Sequence, residues 1–290
     1  MNYSFINSDF NRFATYYSVY ASANIFACCD WNEMIKSIAD HNCFFIKKGE
    51  DIIGGFTLTD NQLSHPFVIP LNFDETLFWY EVLKYALSNS KQNEIVMKFI
   101  PKKETTILVD VFMAKLIYTQ RRMLRPTNKT LPLLAEDYYF TELTDYDRAE
   151  IIQAIYEAHA MGYTATVKPP DKNEIQDAIN RRYDLFTKTY SLHFSTLVKK
   201  KDCDEIVGVC IAGIYPDSPN NFSTIHQVSV RPQFRRNGIA EAMILNTINK
   251  ASSVSPVITL GVMVGNPAEL LYDKVGFRRY PEYSELYYSV

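Results

Sequence analysis

One stretch of the chain, residues 227–240, constrains the fold most strongly, because it predicts a strand, a basic turn and a helix in direct succession. Val228 and Val230 alternate with polar residues, as strand residues do. Pro232 ends the strand, since it has no N–H to donate. From Gly238 onward the apolar residues recur at three- and four-residue spacing, which is typical of an amphipathic helix. The residues of that helical face are Ile239, Met243, Ile244 and Ile248.

Two arginines in this stretch carry charge of the wrong sign for a helix start. Arg235 and Arg236 lie where the helix dipole is positive, and cations are unfavourable there. The conflict disappears if an anion occupies the helix start, where free N–H groups point. Gly238 removes a side chain where a phosphate must approach the backbone, and Ala240 keeps the next position small. A basic loop before an ordinary amphipathic helix is an equally good interpretation of this segment alone.

The pattern Arg235-x-x-Gly238-x-Ala240, after Val-x-Val-x-Pro, resembles the acyl-CoA pyrophosphate loop of the GNAT acetyltransferase superfamily. A second block follows at the spacing of that family. Residues 257–262 resemble its fifth strand, Asn266 begins an Asn-Pro-Ala turn, and residues 271–277 resemble its short fourth helix and the Gly-Phe pair that follows. The resemblance covers residues 138–290 well and the first 125 residues only faintly.

The resemblance implies binding of acetyl-CoA as a co-substrate, without a metal ion. The main chain of Val228 and Val230 would pair with the pantetheine arm like an added strand. Asn266 would hydrogen-bond that arm, although a turn residue before proline explains it equally well. The loop residues expected to bind the pyrophosphate are Arg235, Arg236, Asn237, Gly238, Ile239 and Ala240.

The implied reaction is transfer of an acetyl group to a primary amine, by direct attack on the thioester. Only about 1 in ~2,500 such amines is neutral at pH 7, so a base can contribute substantially. His226 is the candidate base, with Glu142 and Gln227 as weaker candidates, the latter only to orient a water. Tyr272 matches the tyrosine that points at the thioester sulfur in the family. A half-buried strand histidine and an aromatic core residue are the alternative interpretations of His226 and Tyr272.

The order of predicted elements occurs twice, which predicts two domains of one fold. Strand pairs at residues 44–46 and 52–58, and again at 196–198 and 206–212, form hairpins, each followed by a strand and a helix. We therefore predict an α+β (mixed α/β) protein with domains at residues 1–130 and 131–290. Each domain would hold a central, mostly antiparallel sheet flanked by helices, whereas residues 1–40 are predicted to be helical.

The first copy lacks the basic loop. Pro70 is followed by a segment without glycine that contains Asp74 and Glu75, and these acids would repel a pyrophosphate. The N-terminal domain is therefore expected to bind no nucleotide cofactor. In the second copy, the resemblance places residues 161–167 over the acceptor site, so these residues would set substrate specificity.

Composition excludes several classes of function. A net charge of −3 provides no basic face for nucleic acid. The five cysteines have no metal-like spacing, which favours a reducing, cytoplasmic setting. No signal peptide is visible, and no apolar run reaches the roughly 18 residues that a membrane span needs. A non-catalytic CoA-binding sensor remains the alternative function, and the amine acceptor, small molecule or peptide, and the choice between monomer and homodimer stay open.

Overall fold

In the computed structural model, the described residues are 3–22, 31–69, 74–160, 170–214 and 222–289. The strands in these ranges are β1 (Tyr3–Ser8), β2 (Asn42–Lys48), β3 (Asp51–Thr59), β4 (Gln62–Val68), β5 (Glu94–Pro101), β6 (Lys115–Pro126), β7 (Tyr138–Thr141), β8 (Thr196–Lys200), β9 (Ile206–Ile214), β10 (Ser223–Val230), β11 (Val257–Met263) and β12 (Arg278–Ser289). The helices are α1 (Phe10–Tyr20), α2 (Trp31–Ala39), α3 (Glu75–Ser88), α4 (Lys102–Asp110), α5 (Arg148–Ala160), α6 (Lys172–Lys188), α7 (Ile239–Ala251) and α8 (Ala268–Lys274).

The chain divides into two compact units. Unit 1 consists of Met1–Arg121 together with Tyr280–Val290, and unit 2 consists of Arg122–Arg279. The last strand of the chain is therefore counted mainly with the first unit. The domain limits at residues 130 and 131 stay a prediction, and the compact units differ from them at both ends of the second copy.

Unit 1 contains a mixed sheet in the order β1-β2-β3-β4-β5-β12, followed by the first part of β6. Among the unit 1 pairs with a described register, only β4 and β5 run parallel, and their partners are Gln62 with Val96 and Leu63 with Met97. The sheet has a core on each face. Ile46 of β2 packs with α3 on one face, whereas its neighbour Phe45 packs with α1 and α2 on the other.

In unit 2 the strand order continues from the last part of β6 through β11-β10-β9-β8-β7. All nine residues of β9 are buried, which explains its continuous apolar sequence. Helix α7 covers one face through Met243 and Ile248, and α5 and α6 cover the other through Ile155 and Ile179. Strands β10 and β11 are parallel, and the β7–β8, β8–β9 and β9–β10 pairs are antiparallel.

The predicted fold class and both hairpins are confirmed. The helical prediction for residues 1–40 is wrong at its start, because Tyr3–Ser8 forms β1. This strand pairs antiparallel with β2 along its whole length, from Tyr3 opposite Lys48 to Ser8 opposite Cys43. A partner nearly 40 residues away therefore decided its conformation. No helix within the described ranges is long and apolar enough to span a bilayer.

Gly213 of β9 packs closely against α6, and a substitution at this residue tests the packing of the unit 2 core. A Cβ atom on Gly213 of β9 would lie 2.3 Å from the ring of Phe186, which is fully buried. We expect Gly213→Ala to lower the free energy of unfolding by about 1–3 kcal/mol. Gly261 of β11 is the matched control, since a Cβ atom added there would have no other atom within 4 Å. Urea denaturation of both variants measures the difference, and equal effects would contradict this packing.

Candidate functional site

A gap opens between β10 and β11 in unit 2. The two strands are paired from Ser223 with Ile258 to Ile225 with Leu260, and within the described residues their pairing stops there. Both strands nevertheless continue, β10 to Val230 and β11 to Met263. The main chain of β10 beyond Ile225 therefore has β9 on one side and the gap on the other.

The direction of the main-chain groups shows which residues face this gap. Arg231 directly follows β10, and its N–H donates to the carbonyl oxygen of Val207 in the neighbouring strand β9. Because N–H groups alternate in direction along an extended strand, those of Val228 and Val230 point toward the gap. The predicted pairing of these two valines with an added strand is thus geometrically available.

His226 lies where the two strands separate. Ile225 and Gln227 of β10 are opposite the adjacent residues Ala212 and Ile211 of β9, so His226 is the extra residue of a β-bulge. A bulge bends its strand and re-aims side chains, and here it coincides with the end of pairing to β11.

The surroundings of His226 make it a weak base. Its ring centroid lies 5.3 Å from that of Phe186 in α6. Burial lowers the pKa of His226 to about 3, and the charges of Arg182 and Arg122 contribute to that lowering. Moving a proton from an ammonium group with a pKa near 10.4 to such a group costs roughly 10 kcal/mol, at about 1.36 kcal/mol for each pKa unit. The position fits the predicted base, but the electrostatics disfavour that role, which stays a prediction.

The basic loop after β10 is held by one of its own arginines. Arg235 donates from Nε to the carbonyl oxygen of Val230 (3.2 Å) and from Nη2 to that of Ala158 (2.7 Å). Its side chain therefore connects the end of β10 to the last turn of α5. Part of the guanidinium group has a structural role that the sequence did not indicate.

Gly238 is the N-cap of α7 and adopts a left-handed conformation, with φ 73°. A side chain would be strained at this φ. The helix has no side-chain cap, and Ala242 N–H donates to Gly238 O at 3.0 Å. In contrast, Asp74 caps α3 and Asp171 caps α6 through their carboxylates. The first-turn N–H groups of α7 thus lack the side-chain acceptor that these two helices have.

The surface beside this helix start is open. Arg236, Asn237 and Gly238 are exposed, and no atom lies within 4 Å of a Cβ placed on Gly238. Ile239 is buried in the core and Ala240 is half-buried, so these two residues present only main-chain N–H groups to a ligand. The arrangement is suited to an anion with several oxygen atoms.

Asn266 has the turn geometry that its sequence predicts. Its Oδ1 accepts a hydrogen bond from Ala268 N (2.9 Å), and its main-chain oxygen accepts one from Glu269 N (2.9 Å). The side-chain amide nitrogen is a separate group, and a cofactor contact would use that atom. The predicted cofactor role and the turn role are therefore compatible.

Tyr272 lies on α8, where 9% of its surface is exposed. It belongs to the core that includes α7 and β11, and its ring makes an edge contact with Phe277 at 6.0 Å. Gly276, at φ 89°, reverses the chain between these two aromatic residues. The aromatic core interpretation is thus satisfied, and the role of the hydroxyl toward a thioester stays a prediction.

Gln227, predicted only to orient a water, forms a polar link with His159, a residue that the sequence did not single out. Its Nε2 donates to Ser229 Oγ (2.7 Å) and lies 3.3 Å from Nε2 of His159 in α5. Burial lowers the pKa of His159, the hydrogen bond with Gln227 raises it, and the charge of Arg235 lowers it. The approach of His159 to β10 is a tertiary contact, which helical periodicity does not predict.

A second missed residue is Arg231, which is 7% exposed. Its Nε donates to the carbonyl oxygen of Ile206 (2.6 Å). Its guanidinium forms a short hydrogen bond with Glu157 and lies 3.7 Å from Glu150 and 3.5 Å from Glu205. This cluster fixes the end of β10 against α5 and the start of β9. A charged residue between a strand and the following proline was the available signal.

Unit 1 contains a similar β-bulge in the corresponding strand, β4. Ser64 is opposite Thr57 and Phe67 is opposite Gly55, so β4 also contains one extra residue, in a bulge that includes His65. Burial lowers the pKa of His65 to about 3, and its Nδ1 lies 3.0 Å from Thr57 Oγ1. Both units therefore place a histidine in a bulge just beyond a short parallel pairing, which supports the predicted internal repeat.

The units differ at the following helix. In unit 1 the carboxylate of Asp74 accepts hydrogen bonds from Thr76 N (2.9 Å) and Leu77 N (3.1 Å). A carboxylate already occupies the position that an anion would take. Residues 70–73, and residues 161–167 with their predicted acceptor role, lie outside the described part of the chain. No cluster of three or more potential metal ligands is present in the part that the structure describes.

Comparison with known proteins finds a family similarity in the second copy. The model of the acetyltransferase (GNAT) family matches residues 152–277, which include most of α5, the gap, the loop and α8. No curated protein sequence matches the chain.

Solved structures share the fold over nearly the entire chain. A GCN5-related N-acetyltransferase from Sphaerobacter thermophilus has a TM-score of 0.69 at 13% identity, covering 99% of this chain and 95% of that one. A tandem GNAT protein from the clavulanic acid biosynthesis pathway has a TM-score of 0.59 at 10% identity, covering 99% and 98%. A GNAT-family acetyltransferase from Colwellia psychrerythraea has a TM-score of 0.55 at 10% identity, covering 100% of both chains.

Proposed function

We propose that the protein is an acetyl-CoA-dependent N-acetyltransferase that acts on a primary amine, because residues 152–277 match the model of the acetyltransferase (GNAT) family. One observation carries the proposal. The strand β10, which lines the gap beside β11, leads through one short loop to the start of α7, which has no side-chain cap. An extended chain that ends in a pyrophosphate matches this arrangement.

The cofactor would be held mainly by main-chain groups. The pantetheine arm would pair with the N–H groups of Val228 and Val230 as an added strand. The pyrophosphate would accept hydrogen bonds from the first N–H groups of α7, beside Arg235, Arg236 and Asn237. Binding by main-chain groups explains why Ile239 and Ala240 can belong to the site although their side chains face the protein.

The reaction would proceed by direct attack. The nitrogen of the neutral amine attacks the thioester carbonyl carbon, the C–S bond breaks, and the electron pair leaves on sulfur. A thiol of pKa near 8.5 is already a good leaving group, so a hydrogen bond from Tyr272 would assist without being indispensable. His226 lies at the bulge of β10 as the predicted base, but its low pKa weakens that assignment.

The acceptor would be an amine of a small molecule or peptide, and the protein would act in the cytoplasm as a monomer or homodimer, without nucleic acid, membrane or metal. Unit 1 would hold no cofactor, because the carboxylate of Asp74 caps α3. A non-catalytic CoA-binding module is the second candidate. The low pKa of His226 and the packing of Tyr272 in the core favour it.

A charge placed at the open helix start tests cofactor binding. We expect Gly238→Asp to weaken CoA binding about 10- to 100-fold, since a carboxylate there repels the pyrophosphate and occupies its position. The strain of a side chain at φ 73° should lower the thermal midpoint, and the favourable position of an acid at a helix start offsets part of that loss. Gly49→Asp is the matched control, having a similar φ of 65° and open surroundings in the β2–β3 turn. Titration calorimetry measures both, and equal affinities for the two variants would contradict the site.

Removal of one hydroxyl separates the two candidate functions. In an assay of CoA release over a panel of amines, we expect Tyr272→Phe to reduce turnover about 10- to 1000-fold. Tyr146→Phe is the control, since that residue is fully exposed, at 100%, and should retain wild-type rates. CoA binding without turnover of any amine by the wild type would instead support the non-catalytic module.

A further inference from the structure

The gap between β10 and β11 is open toward the side of the strands that α5 and α6 cover. Ile225 of β10 and Leu260 of β11 are opposite each other, and both belong to the core on the α7 side. Because side chains alternate along a strand, Gly261, the next residue of β11, faces the α5 and α6 side. Gly261 is exposed, and a Cβ atom placed on it would have no other atom within 4 Å. A molecule on this side can therefore reach the gap.

His226 and an arginine of α6 lie on the same side. The ring centroid of His226 is 5.3 Å from that of Phe186. Arg182 precedes Phe186 by four residues, so the two side chains are neighbours on one face of α6. Arg182 Nη1 donates to the carbonyl oxygen of Ala178 at 2.8 Å, and its Nε is buried. The guanidinium group is thus held against the helix, close to the point where β10 and β11 separate.

A second arginine comes from β6, the neighbour of β11 in the strand order. Met123 is fully buried in the core on the α7 side, so the preceding residue, Arg122, faces the α5 and α6 side as Gly261 does. Within the described residues, the buried Nε of Arg122 has no hydrogen-bond partner. A buried N–H group without an acceptor is costly. A ligand oxygen at this position would satisfy it.

The charges of both arginines act at the point of separation. After burial, Arg182 and Arg122 are the groups that lower the pKa of His226. Among the described interactions, no carboxylate opposes their effect on this histidine. Glu157, an acid in the last part of α5, is paired with Arg231 instead. The potential beside His226 is therefore positive, although the chain as a whole has a net charge of −3.

We propose that the acceptor is an amino acid, whose carboxylate binds to Arg122 and Arg182 while its amine faces the gap. This inference rests on the proposed function, since it identifies the acceptor of that reaction. A guanidinium group presents its N–H donors in a planar arrangement that matches a carboxylate. In an α-amino acid only one carbon separates the carboxylate from the amine. Anchoring of the carboxylate on this side would therefore keep the nitrogen near the expected position of the thioester.

The same two charges select against other amines. Polyamines and other acceptors with several positive charges would be repelled by Arg122 and Arg182. A neutral amine would leave the buried N–H of Arg122 without an acceptor, and such a loss reduces binding. The acceptor class is thus determined by groups that face the gap from α6 and β6, and not by the loop that is expected to hold the pyrophosphate.

Matched pairs of acceptors test this inference. CoA release from acetyl-CoA is measured with a panel of amino acids and with the carboxamide of each, which keeps the amine and side chain but lacks the negative charge. We expect the wild type to favour the acids about 10- to 100-fold in kcat/KM, mainly through a lower KM. The amine of the carboxamide is less basic, so its larger neutral fraction would by itself favour the amide.

Variants show which groups cause the preference. Arg122→Gln and Arg182→Gln should each bring the acid-to-amide ratio toward 1, and Arg122→Lys should retain part of the preference because it keeps the charge. Arg181→Gln is the matched control, since Arg181 is exposed and adjacent to Arg182 on α6. It should keep the ratio of the wild type.

The possible results are distinct. A wild type that acetylates acids and amides equally well would overturn the inference and leave the proposed function intact. A preference that persists in both glutamine variants, or that is lost equally in Arg181→Gln, would also overturn it. The comparison of acids with amides uses the wild type alone, so it remains decisive if a variant fails to fold. A wild type that binds CoA and acetylates no amine would contradict the proposed function, and this inference with it.

Discussion

The early end of pairing between β10 and β11 is the constraint on which the rest of the site depends. Two parallel strands normally continue side by side, but here the extra residue at His226 bends β10 after Ile225. The main-chain groups of Val228 and Val230 are consequently left facing a gap. A sheet that kept its pairing would have no position for an extended ligand.

Charged side chains keep this opening in place. Arg231, buried among three carboxylates, holds the end of β10 against α5 and β9. Arg235 connects the loop to the last turn of α5, and Gln227 connects the strand to His159 one residue further on. Only the arginine of this cluster is buried, and solvent reaches the three carboxylates, which weakens each ion pair. Contacts from residues before Pro232 and from Arg235 after it therefore hold β10 and its loop in position beside the gap.

Local periodicity was sufficient to predict the hairpins, the strand–loop–helix stretch and the repeat, because those features depend on neighbouring residues. Contacts between distant residues were not predictable in the same way. The strand Tyr3–Ser8 exists because it pairs with β2. The strand β12 pairs with β5, which lies far earlier in the chain. The same limit applies to the site: its loop could be recognised, whereas the approach of His159 to Gln227 and the low pKa of His226 arise from packing.

Amide hydrogen exchange at Val228 and Val230, with and without CoA, tests the central claim most directly. If an extended ligand pairs with the gap edge of β10, exchange at these two N–H groups should slow at least about tenfold when CoA is bound. Ser229, whose N–H points toward β9, provides the internal reference on the same strand. Unchanged exchange at both valines, in a sample that binds CoA, would show that the gap is not the cofactor groove.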